Sequence, residues 1–253
     1  MGIAPSPLFL NEFWQDAFAL KLHLQEFLGL ETAQLTPLLE SGCRALAQLG
    51  QRDFSWDRWT QFYGSHVGDA YFFDLAAWHL TNPQDYIGNT VRLVADFAQG
   101  RVLDFGGGIG THSLAAAQCP KVTQVVYCDI NPRHQAFVEY RASQLGLTDK
   151  IICQAAVLAE ESFDTILCFD VLEHLPDPSA QLLQFYDSLQ TGGCLVTNWY
   201  FFQGFDREYP FHLDYREQPQ TVAKFYGTLR QHFLEVFHPY LSGGRCYRKE
   251  LCA

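Results

Sequence analysis

Residues 102–113 read VLDFGGGIGTHS, and this stretch decides the fold. An apolar strand running into small residues, with a helix opening near Thr111, is the strand–loop–helix of a parallel α/β sheet. Gly106, Gly108 and Gly110 make G-x-G-x-G, whereas a dinucleotide-binding turn, G-x-G-x-x-G, needs a glycine where Thr111 stands. Asp104 lies two residues ahead of the first glycine. A pyrophosphate seated at the helix N-terminus would be repelled by that carboxylate. The same acid suits a ligand with no phosphate and a positively charged amine.

Outward from this loop the chain alternates short apolar runs with helical segments. Strands are expected at 101–105, 124–129, 150–154, 163–169 and 194–201, with helices at 84–98, 111–117, 132–145 and 179–190. This rhythm predicts a parallel sheet with right-handed crossovers. HFLEVFHP and GRCYRKELC, close together around SGG, read as a terminal hairpin that adds an antiparallel strand. The resulting fold class is α/β: a Rossmann-like, seven-stranded, mostly parallel sheet with helices on both faces. Residues 8–80, within a cap expected over 1–82, contain no convincing strand. Their apolar positions recur at helical spacing, and aromatic residues crowd 55–80, with helices expected at 55–62 and 69–80. They predict an N-terminal helical cap or lid over a domain spanning 83–253.

Composition excludes several classes of function. Lys and Arg number 17 against 28 Asp and Glu, so a formal net charge of −11 disfavours contact with a phosphate backbone. Cys128, Cys153, Cys168 and Cys194 fall in or at the end of apolar strand-like runs, as small buried hydrophobes. No C-x-x-C or Cys/His metal spacing occurs, so no metal is expected and reduced thiols in a cytoplasm are. No apolar stretch approaches membrane-spanning length, and no basic, then apolar, leader pattern opens the chain. MGIAPS at the start fits the loose myristoylation pattern, which is too short to weigh against chance.

S-Adenosylmethionine meets the loop's requirements: an adenosine, a sulfonium, and an amino-acid tail with a free ammonium. Glycines lack the Cβ that would hold the backbone away from that tail. Asp129 ends the next strand, where a carboxylate can accept hydrogen bonds from both ribose hydroxyls. That acid is shared with nicotinamide enzymes; Asp104 together with the glycine spacing makes the distinction.

These residues resemble the class I S-adenosylmethionine-dependent methyltransferases over roughly residues 84–253. The resemblance implies that Asp104, Gly106, Gly107, Gly108 and Gly110 hold the methionine part, that Asp129 holds the ribose, and that Ile130 packs on the adenine. FDTILCFDVLEHLPDP at 163–178 is similar to the stretch around the fourth strand in the small-molecule branch that includes quinone-biosynthesis methyltransferases. There the strand's end, with Asp170, faces the sulfonium and the acceptor. The family often carries an acid after the third strand for the adenine amino group, whereas this chain has Gln154 and Ala155. Gln154 offers an amide oxygen instead, and the backbone near Ala155 is the alternative.

Methyl transfer from a sulfonium is an in-line displacement at an activated carbon, so alignment, water exclusion and removal of an acceptor proton are the protein's tasks. His212, in the aromatic segment 198–219, and His174, after the fourth strand, are the candidate bases. Tyr71, with Tyr63 and Phe72, is the cap's candidate to close over the cofactor. The expected acceptor is a small aromatic or apolar metabolite, with no nucleic acid or membrane as partner and the cap as a surface for a homodimer. Two alternatives remain at this point: a catalytically silent subunit that binds a partner through its cap, and a nicotinamide-dependent oxidoreductase. Oxygen, nitrogen and carbon acceptors share the scaffold, and the sequence does not choose among them.

Overall fold

The computed structural model describes residue 13 and residues 15–81, 86–236 and 244–249. The MGIAPS pattern, the start of the cap, the expected cap boundary at 82–83, the first turn of the helix expected from 84, the hairpin turn through 237–243 and the last four residues lie outside the described residues.

The sheet order is β3-β2-β1-β4-β5-β7-β6, built from β1 (Gly100–Phe105), β2 (Val122–Cys128), β3 (Ile151–Gln154), β4 (Phe163–Cys168), β5 (Leu189–Thr197), β6 (Phe233–Val236) and β7 (Arg245–Lys249). β1 to β5 run parallel, and β7 lies antiparallel between β5 and β6. The order reverses between β1 and β4. That switch point opens a crevice beyond the strands' carboxyl ends, and the glycine loop occupies it.

The cap supplies α1 (Leu20–Leu28), α2 (Thr32–Asp53) and α3 (Ala70–Thr81), followed by α4 (Tyr86–Phe97), α5 (Thr111–Gln118), α6 (Pro132–Gln144), α7 (Pro178–Ser188) and α8 (Pro219–His232). Capping explains two of these starts. Asn131 accepts a hydrogen bond from the Arg133 amide ahead of α6, Asp177 accepts one from the Ala180 amide ahead of α7, and each helix opens on proline. One core covers the sheet face where Val102 and Val125 meet Phe137 and Leu114, and it includes Leu20, Leu24, Leu35, Phe72 and Ala76 of the cap. A second core covers the other face, where Leu103, Val126, Ile166 and Leu195 meet Phe185 and Phe225. Helices thus cover both faces.

Two local expectations need correction. The helix expected at 55–62 is instead a 3-10 turn (Trp56–Arg58), one α turn (Trp59–Gln61) and a π-helical run (Phe62–His66). The wider π turn lets two successive aromatics, Phe62 and Tyr63, both be buried beside Phe211. β5 stops at Thr197, four residues short of the expected end, because Asn198 leaves the ladder to accept a hydrogen bond from the Asp170 amide (2.6 Å). Trp199 and Phe201 then pack on Phe225 of α8, with ring centroids 4.9 Å apart in each pair. That helix falls outside the strand-and-helix rhythm of the sequence; Val222, Phe225 and Leu229 form its buried stripe.

Among the described residues no helix is long and apolar enough to cross a membrane. The described cysteines are free thiols, and all but Cys43 and Cys153 are buried.

Candidate active site

A cavity of about 560 Å³ opens beyond β1, β2 and β4. Its wall takes Gly106 from the loop, Asp129 and Ile130 from the end of β2, Ala155 to Ala159 beyond β3, and Asp170, Val171 and His174 beyond β4. Trp59, Tyr63 and Tyr71 close it from the cap side.

The glycine loop is held down at both ends. Amides of Gly106 and Gly107 donate to the Cys128 carbonyl at 2.7 and 3.3 Å. The Tyr127 hydroxyl donates to the Gly108 carbonyl at 2.7 Å, and Arg141, fully buried, donates to the Ile109 carbonyl at 2.9 Å. Arg141 also donates to the carbonyls of Ala17 and Phe18, so one guanidinium ties the cap to the loop. Only glycine fits at 106: its φ is +69°, and a Cβ there would lie 2.4 Å from Val171 Cγ2. At 107 a Cβ would lie 2.6 Å from the Tyr127 ring and 2.9 Å from Asp104 Oδ2.

Asp104 is not part of the cavity wall. Side chains alternate along a strand, and Leu103 and Phe105 face the cavity. Asp104 therefore turns beneath the loop, 1% exposed, where Ser113 Oγ donates to its Oδ2 at 2.6 Å. Burial pushes its carboxyl up to about 6, against the opposing effect of the Ser113 hydrogen bond. Gly107, Gly108 and Gly110 likewise sit behind the wall. Gly107 covers Tyr127 and Asp104, Gly108 faces Leu75 of the cap, and Gly110 packs on Val138.

Asp129 stands at the wall with its carboxylate fixed from both sides. Gly108 N donates to Oδ2 at 3.0 Å and Asn131 N to Oδ1 at 2.8 Å. Next to it Ile130 is 38% exposed, an apolar side chain left open at the cavity. Gln154 does not reach the cavity, because its amide nitrogen donates to Glu161 Oε2 at 2.9 Å. Ala155, one residue on, lines the wall.

Beyond β4, Asp170 brings a carboxyl to the wall. Asp170 has a φ of +55°, a strained conformation for a residue with a side chain. Its Oδ1 accepts hydrogen bonds from the Tyr86 hydroxyl and from Asn198 Nδ2. Burial raises its carboxyl. Neither Tyr86 nor Asn198 stands out in the sequence as a functional side chain; the one signal is an asparagine inside the run expected as the fifth strand. Glu173 follows in a 3-10 turn (Leu172–His174), 1% exposed, with Oε2 unpartnered. Its burial, with the charge of Asp170 nearby, pushes this carboxyl far above the usual range.

The two histidines come together, although 38 positions separate them. Their rings lie 4.6 Å apart edge to face, and the Leu213 amide donates to the Glu173 carbonyl at 2.7 Å, joining the two segments. His174 lines the cavity with Nδ1 2.7 Å from the Tyr63 hydroxyl. His212 sits one ring behind the wall, stacked on Tyr209, with Nδ1 3.1 Å from the Phe202 carbonyl. Burial holds both imidazoles neutral: His174 well below its ordinary range, helped by His212, and His212 down to about 4. Tyr71 lines the cavity, whereas Phe72 is buried in the core.

An open nucleoside with an amino-acid tail fits this wall. The wall offers a backbone stretch without a side chain at Gly106, a fixed carboxylate at Asp129 and an exposed apolar side chain at Ile130. Aromatic rings and a neutral histidine stand beyond them.

Residues 78–221, more than half the chain, match the family described as a methyltransferase domain. The chain is 32% identical over 133 residues to a ubiquinone biosynthesis O-methyltransferase of Cereibacter sphaeroides, covering 47% of this chain and 52% of that one. It is 34% identical over 112 residues to the enzyme of the same name from Paracidovorax citrulli, covering 42% and 44%. The chain thus spans about half the length of these relatives. Similar solved structures include a putative sarcosine dimethylglycine methyltransferase from Galdieria sulphuraria, with 19% identity, TM-score 0.41, and coverage of 49% and 47%. Another is a SAM-dependent O-methyltransferase from Thermotoga maritima, with 14% identity, TM-score 0.46, and coverage of 66% of each chain. With the strand order and the family match in agreement, the chain belongs to the class I S-adenosylmethionine-dependent methyltransferases, whose cofactor is S-adenosylmethionine.

Proposed function

We propose that this methyltransferase alkylates a hydroxyl group of a small, flat, largely apolar metabolite. One observation carries the reading: the cavity wall combines the rings of Trp59, Tyr63 and Tyr71 with His174 as a polar group. Apolar and aromatic walls with a few convergent polar groups favour small ligands over an extended polymer. The acidic surface disfavours RNA or DNA for the same reason as before. The O-methyltransferase names of the relatives support a hydroxyl acceptor.

In this reading Asp129 receives the ribose hydroxyls, Ile130 and Ala155 flank the adenine, and the backbone at Gly106 lies along the amino-acid tail. When bound, the cofactor supplies a methyl group already activated by its sulfonium. Asp104 acts from beneath, as a brace for the loop through Ser113. Tyr71 and Tyr63 exclude water, and His174, neutral at pH 7, accepts the hydrogen bond of the incoming hydroxyl. Tyr63 fixes the ring that does so, and Tyr86 with Asn198 fixes Asp170 beside it.

Calorimetric titration with S-adenosylhomocysteine, alongside turnover assays on phenols, catechols and aliphatic alcohols, tests the proposal. Binding that weakens in Asp129→Ala, with turnover confined to flat hydroxyl compounds, is the expected result. Turnover only on a protein or RNA would refute the acceptor class.

A further inference from the structure

We propose that His134 is a positioning residue for the cofactor: with ligand bound, its Nδ1–H donates to Asp129 Oδ2 and holds that carboxylate toward the ribose. The ring is 0% exposed, and neither of its nitrogens has a hydrogen-bond partner. An imidazole carries at least one N–H in every protonation state, so this ring buries a donor without an acceptor. That burial is costly, and an arrangement that satisfies the donor is favoured by the same amount.

An acceptor stands within reach. Asp129 Oδ2 lies 3.6 Å from His134 Nδ1, just beyond hydrogen-bond length. The ring also packs on two residues of α3: Tyr71, with centroids 5.1 Å apart and planes tilted by 45°, and Phe72, 4.9 Å away edge to face. Tyr71 in turn lines the cavity. Arg133, the preceding residue, pairs with Asp69 at 2.7 Å just ahead of α3 and lies 5.9 Å over the Phe72 ring. The imidazole is therefore wedged between the cap and the Asp129 carboxylate.

The start of α6 is built around the same acid. Asn131 N donates to Asp129 Oδ1 at 2.8 Å, and Gln135 Nε2 donates to the Asp129 carbonyl at 2.6 Å. From the glycine loop, Gly108 N donates to Oδ2 at 3.0 Å. The gap between Oδ2 and Nδ1 is the slack in this arrangement, and a movement of a few tenths of an ångström closes it. A second donor on Oδ2 is a charge-assisted bond that fixes the plane of the carboxylate. His134 thus acts through Asp129, and the inference rests on the reading of Asp129 as the ribose ligand.

The test titrates S-adenosylhomocysteine calorimetrically into the full chain as parent, His134→Phe, His134→Asn and Asp129→Ala. Phenylalanine keeps a ring against Tyr71 and Phe72 but removes the donor. Asparagine gives up the ring but places an amide N–H where Nδ1 stands. Affinity should fall about tenfold in His134→Phe. It should return to within about threefold of the parent in His134→Asn, even though that variant melts at a lower temperature. A residue that only packs gives the reverse order, with His134→Phe binding as the parent does and His134→Asn binding worse, and that order overturns the proposal. If the asparagine variant does not fold, proton NMR of the parent decides. The His134 ring N–H resonance, assigned by its loss in His134→Phe, should move downfield on saturation with S-adenosylhomocysteine, and an unmoved resonance overturns the proposal. Parent-like binding by Asp129→Ala overturns the ribose reading and this inference with it. Weak binding by Asp129→Ala beside parent-like binding by His134→Phe overturns this inference alone.

Discussion

Replacing Asp104 by asparagine separates a brace from a cofactor ligand. Burial lifts the Asp104 carboxyl from 3.8 to about 6. Below pH 3.8 the group is neutral in both folded and unfolded chains, and its ionisation costs the fold nothing. As the pH rises toward 6 the unfolded chain ionises first, so the folded state is progressively penalised. A rise of this size corresponds to about 3 kcal/mol at neutral pH, of which about 2 kcal/mol develops between roughly pH 4.5 and 7. An asparagine side chain keeps an oxygen for Ser113 and cannot ionise, so Asp104→Asn escapes this penalty. Thermal unfolding of the cofactor-free protein across that pH range provides the assay. The melting temperature of Asp104→Asn minus that of the parent should grow by about 4–8 °C, at roughly 2–4 °C per kcal/mol for a domain of this size. A difference that stays flat with pH would mean that Asp104 is not a strained buried acid. A tenfold or larger loss of S-adenosylhomocysteine affinity without any stability change would mean that it contacts the ligand after all.

Further expectations concern the wall of the cavity. Gly106→Ala combines a φ of +69° with a Cβ 2.4 Å from Val171 Cγ2. It should destabilise the protein by about 1–3 kcal/mol in urea unfolding, and Val171→Ala in the same chain should recover only the steric part. Asp129→Ala removes the acceptor of the Gly108 and Asn131 amides, and calorimetry should show S-adenosylhomocysteine binding weakened about tenfold or more. Tyr63→Phe deletes only the hydroxyl beside His174 Nδ1, so kcat should fall about tenfold or more while S-adenosylhomocysteine affinity holds. Asn198→Ala frees the Asp170 amide and one carboxylate contact, and should cost about 1–3 kcal/mol in the same unfolding assay.

The sheet was legible because each parallel strand is a short apolar run bounded by a turn, and the loop at 106–110 marks the switch point by its glycines alone. Asp129, Ile130 and Ala155 follow from strand ends, since the ends of neighbouring parallel strands open onto one crevice. Asp104 shows where this reasoning stops. Position within the motif is a one-dimensional fact, but the side of the sheet it faces depends on the strand's alternation, and Leu103 and Phe105 claim the cavity side. Gln154 was diverted by Glu161, seven residues on, in a loop whose path no periodicity describes. The aromatic segment after β5 misled in the other direction. Its apolar residues read as a longer strand, yet Trp199 and Phe201 satisfy their burial against α8. The same departure from the ladder frees Asn198 to hold Asp170 and allows the chain to return His212 behind His174. No local spacing could announce a cluster made by that return. Glu173 and His174 come from the turn after β4 and His212 from the segment after β5, so no search within one segment finds them together. The residues proposed for the acceptor are therefore those whose proximity is created by the fold, and the residues proposed for the cofactor are those the strand ends already announce.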